Sequence, residues 1–185
     1  MPKGARNERK KCRDWSLWWS EGLDINPPKD DIFYRTAGSG SRAKSRAKRG
    51  KDTHGSYGDM GALDPVGEPL IKALTFEFKK GYNKELDLLS LLDSRGKKPL
   101  LKQFLEQVCE DAELAGNDPA LVIHRDYHLP VIVILAILID EIHWYVGGFK
   151  NDRFDFWYMD KDFTMMRLKD FFEWCNPHFF VRRGF

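Results

Sequence analysis

Glu77, Phe78 and Lys79 form a compact triplet, and Asp59 lies 18 residues upstream of its first member. Side chains alternate between faces along an extended strand, so Glu77 and Lys79 share one side while Phe78 turns to the core. Gly58 to Leu63 and Leu70 to Lys79 read as two strands joined by the DPVGEP turn, Asp64 to Pro69. Pairing as a hairpin would set Asp59 beside Glu77, so that two carboxylates and an ammonium converge at one sheet edge. Such hard oxygen ligands suit Mg2+, which takes one or two carboxylates and keeps water for a phosphate substrate. A divalent ion there would polarise a phosphoryl oxygen and acidify a bound water. Lys79 would orient that water and offset charge developing in the transition state. This is phosphodiester hydrolysis. Taken alone, Glu-x-Lys on one strand face is equally an ordinary ion pair.

The elements that must hold these residues follow from periodicity. Residues 5–21 carry Cys12, Trp15, Trp18 and Trp19 at helical spacing, and Gly22 stops that helix. Ile32 to Thr36 reads as a strand and Gly58 begins the next. Residues 98–115 place Leu101, Phe104, Leu105, Val108 and Ala112 on one helical face, with Gly116-Asn117 as terminator. Ala120 to His124 and Leu129 to Ala136 are two further strands around a polar turn, Arg125 to His128. Residues 137–160 fit neither period well. Phe163 to Met166 then predicts a last strand, and Arg167 to Cys175 a short closing helix before Asn176-Pro177. The order predicts an α/β fold with a mixed central sheet flanked by helices. At 185 residues the chain forms one domain: a core over about 4–135, a C-terminal extension over 136–185, and a basic flexible loop over 37–57.

Composition limits the alternatives. With 42% hydrophobic and 31% charged residues the chain can bury a core, which excludes a disordered, collagen-like or coiled-coil protein. Cys12, Cys109 and Cys175 are too scattered for a disulfide scaffold or zinc ribbon, so a reduced, intracellular setting is expected. The apolar run Leu129 to Ile139 is short of the ~18 residues that a membrane span needs and reads as a buried strand. The N-terminal residues have no apolar stretch to direct export, so a cytoplasmic protein is expected. Residues 1–51 hold 14 Lys/Arg against 6 Asp/Glu, whereas residues 52–185 hold 16 against 22. Arg42 to Lys51 carries six positive charges and no negative one, and a polyanion is its natural partner.

Gly58-Asp59 followed by Glu77-Phe78-Lys79 resembles the PD-(D/E)xK nuclease signature, with Gly58 where the family's name places proline. Upstream, Gly4 to Arg9 on the first helix, and Phe33 to Gly40 after a strand, are similar to the Holliday-junction resolvase branch. In that branch a helical Glu, an Arg at a strand end and a Ser-Gly loop precede the Asp. The likeness covers about Gly4 to Leu135 and implies a restriction-endonuclease-like core. It implies Asp59 and Glu77 as metal ligands, Glu8 as a third acid near the metal, and Phe78 contributing its backbone carbonyl. Lys79 becomes the catalytic lysine, and Gln107, or as a weaker choice Gln103, supports the site. Arg35, Ser39 and Ser41 would lie by the DNA backbone, with Arg42, Lys44, Arg46, Lys48 and Arg49 along duplex phosphates. Contacts of that kind give affinity rather than base readout, so structure-selective recognition is expected.

The resulting expectation is a Mg2+-dependent DNA endonuclease, with Mn2+ as substitute, acting on branched or junction DNA as a homodimer, as from a phage-infected host. Its alternatives are a general DNA-nicking or DNA-degrading nuclease and a DNA-binding protein that keeps the scaffold without turnover. His124 and His128 would suit a metal only on a helix, and strands are expected there. The three early tryptophans read as core. The late aromatic cluster from Trp144 to Tyr158 reads either as core of an added subdomain or as an oligomer interface.

Overall fold

The computed structural model describes residues 3–36, 57–83 and 98–183. Helix α1 (Lys3–Gly22) forms around a helical stripe in which Trp15 and Trp19 are wholly buried and Cys12 and Trp18 nearly so. Its serines dock the next element. Ser16 Oγ donates to Cys12 O and accepts the Phe33 N–H, each at 2.9 Å, which lays β1 (Phe33–Arg35) along the helix. β1 pairs antiparallel with β2 (Met60–Ala62) as a separate two-stranded sheet.

The expected hairpin between residues 58–63 and 70–79 does not form. A 3-10 turn (Pro65–Gly67) and helix α2 (Glu68–Ala73) stand between β2 and β3 (Leu74–Lys80), so residues 70–73 are helical. The reason is local. Asp64 accepts the Val66 N–H at 3.0 Å, Pro65 and Pro69 open helical turns where a missing N–H is harmless, and Lys72 pairs with Glu68 at 2.8 Å. The segment expected to reverse the chain is a helix initiator.

The main sheet runs β3-β4-β5-β7-β6, with β4 (Asp118–His124), β5 (Val131–Leu135), β6 (Arg153–Tyr158) and β7 (Lys161–Arg167). β3 and β4 are parallel and the remaining pairs antiparallel, so the sheet is mixed. Helix α3 (Leu100–Ala115), ended by Gly116 at φ 72°, covers one face. There Leu101, Phe104, Leu105 and Val108 pack with Leu121, Ile123, Val133 and Phe163. The other face is covered by α1, α4 (Ala136–Val146), α5 (Leu168–Trp174) and α6 (His178–Arg182). Trp15 is central to it, with ring centroids 4.7 Å from Phe76 and 4.8 Å from Phe172. This is the expected α/β architecture, a mixed sheet between helical layers.

Two further expectations are corrected. The apolar run 129–139 splits into β5 and the start of α4, because a buried strand and a buried helix look alike in an unbroken apolar stretch. Asn176-Pro177 does not close the chain's helices: Asn176 Oδ1 accepts the His178 N–H at 2.9 Å and starts α6. The late aromatics divide between core contact and solvent. Phe156 stacks on Phe163, whereas Trp144 and Trp157 are exposed. All three cysteines are buried and free. Among the described residues no helix is long and apolar enough to cross a membrane.

Candidate active site

The site begins where the chain enters β2. Asp59 N–H donates to Phe76 O at 2.6 Å, Thr36 N–H donates to Asp59 O at 3.2 Å, and Asp59 Oδ2 accepts the Phe78 N–H at 2.8 Å. A single aspartate thus bridges the end of β1 and the outer side of β3, doing by three hydrogen bonds what the expected hairpin was to do. Gly58 makes this approach feasible. Its φ is +76°, and a Cβ there would stand 2.6 Å from Phe76 O. A proline, held near −65°, fits neither the angle nor the space.

On β3, Glu77 and Lys79 share the α3 face. Lys79 Nζ donates to Glu77 Oε1 at 2.5 Å and to Gln107 Oε1 at 2.9 Å, while Gln107 Nε2 donates to Glu77 Oε1 at 2.9 Å. The three groups close a ring of hydrogen bonds. The Lys79 ammonium also lies 4.8 Å from the Phe104 ring centroid, a cation–π contact. Gln103 instead donates to Lys98 O at the helix start, so it is Gln107 that meets the lysine.

Asp59 is 6% and Glu77 4% exposed. Burial, and next the charge of Asp59, push the Glu77 carboxyl up to about 7, against the opposing pull of Lys79. Asp111, one turn beyond Gln107 and 1% exposed, adds to that rise. A cation beside the two acids would reverse this unfavourable clustering. The Phe78 carbonyl belongs to the same edge: Phe76 and Phe78 direct backbone groups at Asp59, and a strand residue's N–H and C=O share a side. Two carboxylates and a carbonyl form an all-oxygen set that fits a hard divalent ion.

Glu8 projects from α1 and pairs with Arg35 Nε at the end of β1. Cys12, one turn beyond Glu8, has its thiol pushed up to about 12 by burial, then by Asp59 and Glu8, so both acids lie near it. Among the described residues no group of three or more His, Cys, Asp or Glu side chains could hold a metal ion. Asp59 and Glu77 meet at β3, while the carboxylate of Glu8 pairs with Arg35. Ser39, Ser41, Arg42, Lys44, Arg46, Lys48 and Arg49 lie outside the described residues.

The sequence marks Phe104, which supports Lys79, only as part of an apolar helical face, and Asp111, which acts on Glu77, is not singled out. A readable signal existed for the second: Gln107 and Asp111 are four apart on a helix whose neighbouring positions are apolar.

A family model described as "Phage putative PDDEXK endonuclease" matches residues 2–175 of the chain. No curated protein and no solved structure matches it.

Proposed function

The chain belongs to this phage family of PD-(D/E)xK endonucleases, and from that premise we propose that it is a Mg2+-dependent, structure-selective nuclease for branched DNA, resembling a Holliday-junction resolvase. That it is an endonuclease acting on DNA follows from the family, whose members generally use divalent metals. The choice of Mg2+, the junction substrate and a homodimer are the finer reading.

One observation carries the catalytic part: the ring joining Lys79 to Glu77 and Gln107, set beside Asp59. Asp59, Glu77 and the Phe78 carbonyl would hold the ion. When bound, such an ion supplies Lewis-acid polarisation of a phosphoryl oxygen and a more acidic water. The protein's own groups supply position and charge. Asp59 is fixed by the Phe78 N–H, so its carboxylate does not need to reorganise. Glu77 spends Oε1 on Lys79 and Gln107, so Oε2 is the atom that would serve as its metal ligand. The amide of Gln107 accepts from Lys79 and donates to Glu77, holding both in one geometry. Lys79 is 14% exposed, so its ammonium acts from a site of low dielectric. It donates to the attacking water or to a non-bridging oxygen as negative charge accumulates there. Arg35, paired to Glu8, would offer its guanidinium to a backbone phosphate.

The junction preference is supported by resolvase-like order, Glu8, then Arg35, then Asp59, and by the surplus of Lys and Arg in residues 1–51. Symmetrical cuts in two strands are most simply made by two identical sites about a twofold axis, which is the case for a homodimer. The test compares cleavage of a four-way junction, a flap and linear duplex with Mg2+, with Mn2+ and with chelator. The expected result is fastest cleavage of the junction, in paired nicks, and none with chelator. Equal rates on all three would replace this reading with a general nicking nuclease. Binding without cleavage under either metal would replace it with a non-catalytic binder. Sedimentation velocity at micromolar concentration should give twice the chain mass.

A further inference from the structure

The carboxyl ends of the parallel strands β3 and β4 carry polar residues that the hydrolytic site does not use. Parallel pairing puts Lys80 directly opposite His124. On β3, Phe76 and Phe78 point into the core under α1, and Lys80 continues their row. On β4, Ala120 and Val122 do the same, and His124 continues theirs. Both side chains therefore stand on the α1 face, at the strand ends where open α/β sheets bind ligands.

Helix α1 presents a basic group to the same place. Its inward stripe runs from Trp15, 0% exposed, back one turn to Lys11 at 3% and one more to Asn7 at 6%. A lysine thus occupies a position where the packing pattern calls for an apolar side chain. Its ion pair is to Asp14, on its own helix, at 3.3 Å. Burial lowers the pKa of Lys11, Asp14 opposes that, and Lys10 and Lys80 lower it further. The His124 ring is lowered by burial and by Lys11, Lys80 and Lys10, against Asp126. Its buried Nδ1 has no hydrogen-bond partner among the described residues. Three ammonium groups gather around this imidazole, and although Asp14 and Asp126 face them, the surplus of positive charge draws an anion.

The position of this group relates it to the acids. Lys80 is roughly 7 Å along β3 from Phe78 at the usual strand rise, and Lys11 is about one turn of α1 from Glu8. Resting on the reading of DNA as substrate, we infer that Lys10, Lys11, Lys80 and His124 form a cradle for a phosphodiester flanking the scissile one. A backbone contact of this kind sets the register of the strand over the metal ligands without reading its bases.

The test measures DNA affinity of the full chain under chelation between 0.1 and 1 M salt. Lys10→Ala and Lys80→Ala should each reduce the slope of log K against log salt by about 0.9, a relative weakening of about eightfold at 0.1 M. Lys72→Ala removes an exposed α2 lysine that precedes β3, at the opposite end of that strand from Lys80, and should leave the slope unchanged. Lys10 and Lys80 are themselves exposed, so unchanged thermal melts will verify that the core is intact. Slopes equal to wild type in both variants, or shifted equally by Lys72→Ala, would overturn the cradle. Metal-dependent cleavage with unchanged slopes would overturn it alone. Reduced slopes in a protein that never cleaves would keep the cradle and overturn the nuclease reading.

Discussion

The two edges of the five-stranded sheet are built from similar residue types and put to different ends. At the β6 edge, Phe154 and Trp157 lie 49% and 67% exposed, and Arg153 and Asp155 form an ion pair in solvent at 3.3 Å. At the β3 edge, Asp59 and Glu77 are almost wholly buried, with the Phe78 N–H donating to Asp59 and Lys79 and Gln107 donating to Glu77. Aromatic surface left in water costs little, since much of any protein's surface is apolar. Burying two carboxylates side by side costs much, and a fold sustains it only where other contacts hold them in place. The inverted edge, charges inside and large apolar groups outside at its opposite, is what marks β3 as the reactive side.

Substitutions can test that contrast, beginning where the fold has most to lose. Trp15→Ala removes the ring that joins α1 to the core beneath β3, and should cost about 3–5 kcal/mol in chemical denaturation. Lys79→Ala should lower kcat roughly 10²–10³-fold, or about 2.7–4 kcal/mol, with the fold retained by circular dichroism. An equal loss from a β6 lysine-free control such as Arg153→Ala would destroy the distinction between the edges.

Glu77 offers a pH test in metal-free protein. Its carboxyl is held at about 7 in the fold against an ordinary 4.5, so the native state binds more protons than the unfolded chain between those values. Stability should therefore fall as pH rises from about 4.5 to 7, by on the order of 3 kcal/mol at its upper limit. Glu77→Gln should flatten that slope in urea titrations across the same window. A slope unchanged by the substitution would mean that the burial of Glu77 has been offset by its partners.

Smaller effects follow at the periphery of each edge. Gln107→Ala should lower kcat roughly tenfold, as supporting residues at metal sites do, with KM little changed because Gln107 acts through Lys79 and Glu77. Trp157→Ala should change stability by no more than about 0.5 kcal/mol in thermal melts, which is the least of these effects. A loss as large as that of Trp15→Ala would show that the exposed ring is packed in solution, and so that the β6 edge has a partner.

The parts of the fold legible in the sequence were those encoded by neighbours. α1 and α3 were evident from apolar stripes and their glycine stops, and β4 and β5 from β-branched runs around a polar turn. The segment from Asp64 to Pro69 misled because turn residues and helix-starting residues are the same types: Asp, Pro and Gly serve both. The run from 129 to 139 misled because an unbroken apolar stretch has no period to read. Lys11 falls one turn before Trp15 on the buried stripe, a place that its residue type does not announce.

Residue chemistry and alternation along a single strand were sufficient to put Glu77 and Lys79 on one side of β3 and Phe78 on the other, since Cβ direction is a local property of extended backbone. Bringing Asp59 to that strand was not local. It depended on the antiparallel pairing of β1 with β2, on the space left by Gly58, and on the hydrogen bonds that Asp59 donates to Phe76 O and accepts from the Phe78 N–H. Contacts across such separations depend on which surfaces pack and on backbone groups that every residue shares, and so they leave no mark in the order of side chains.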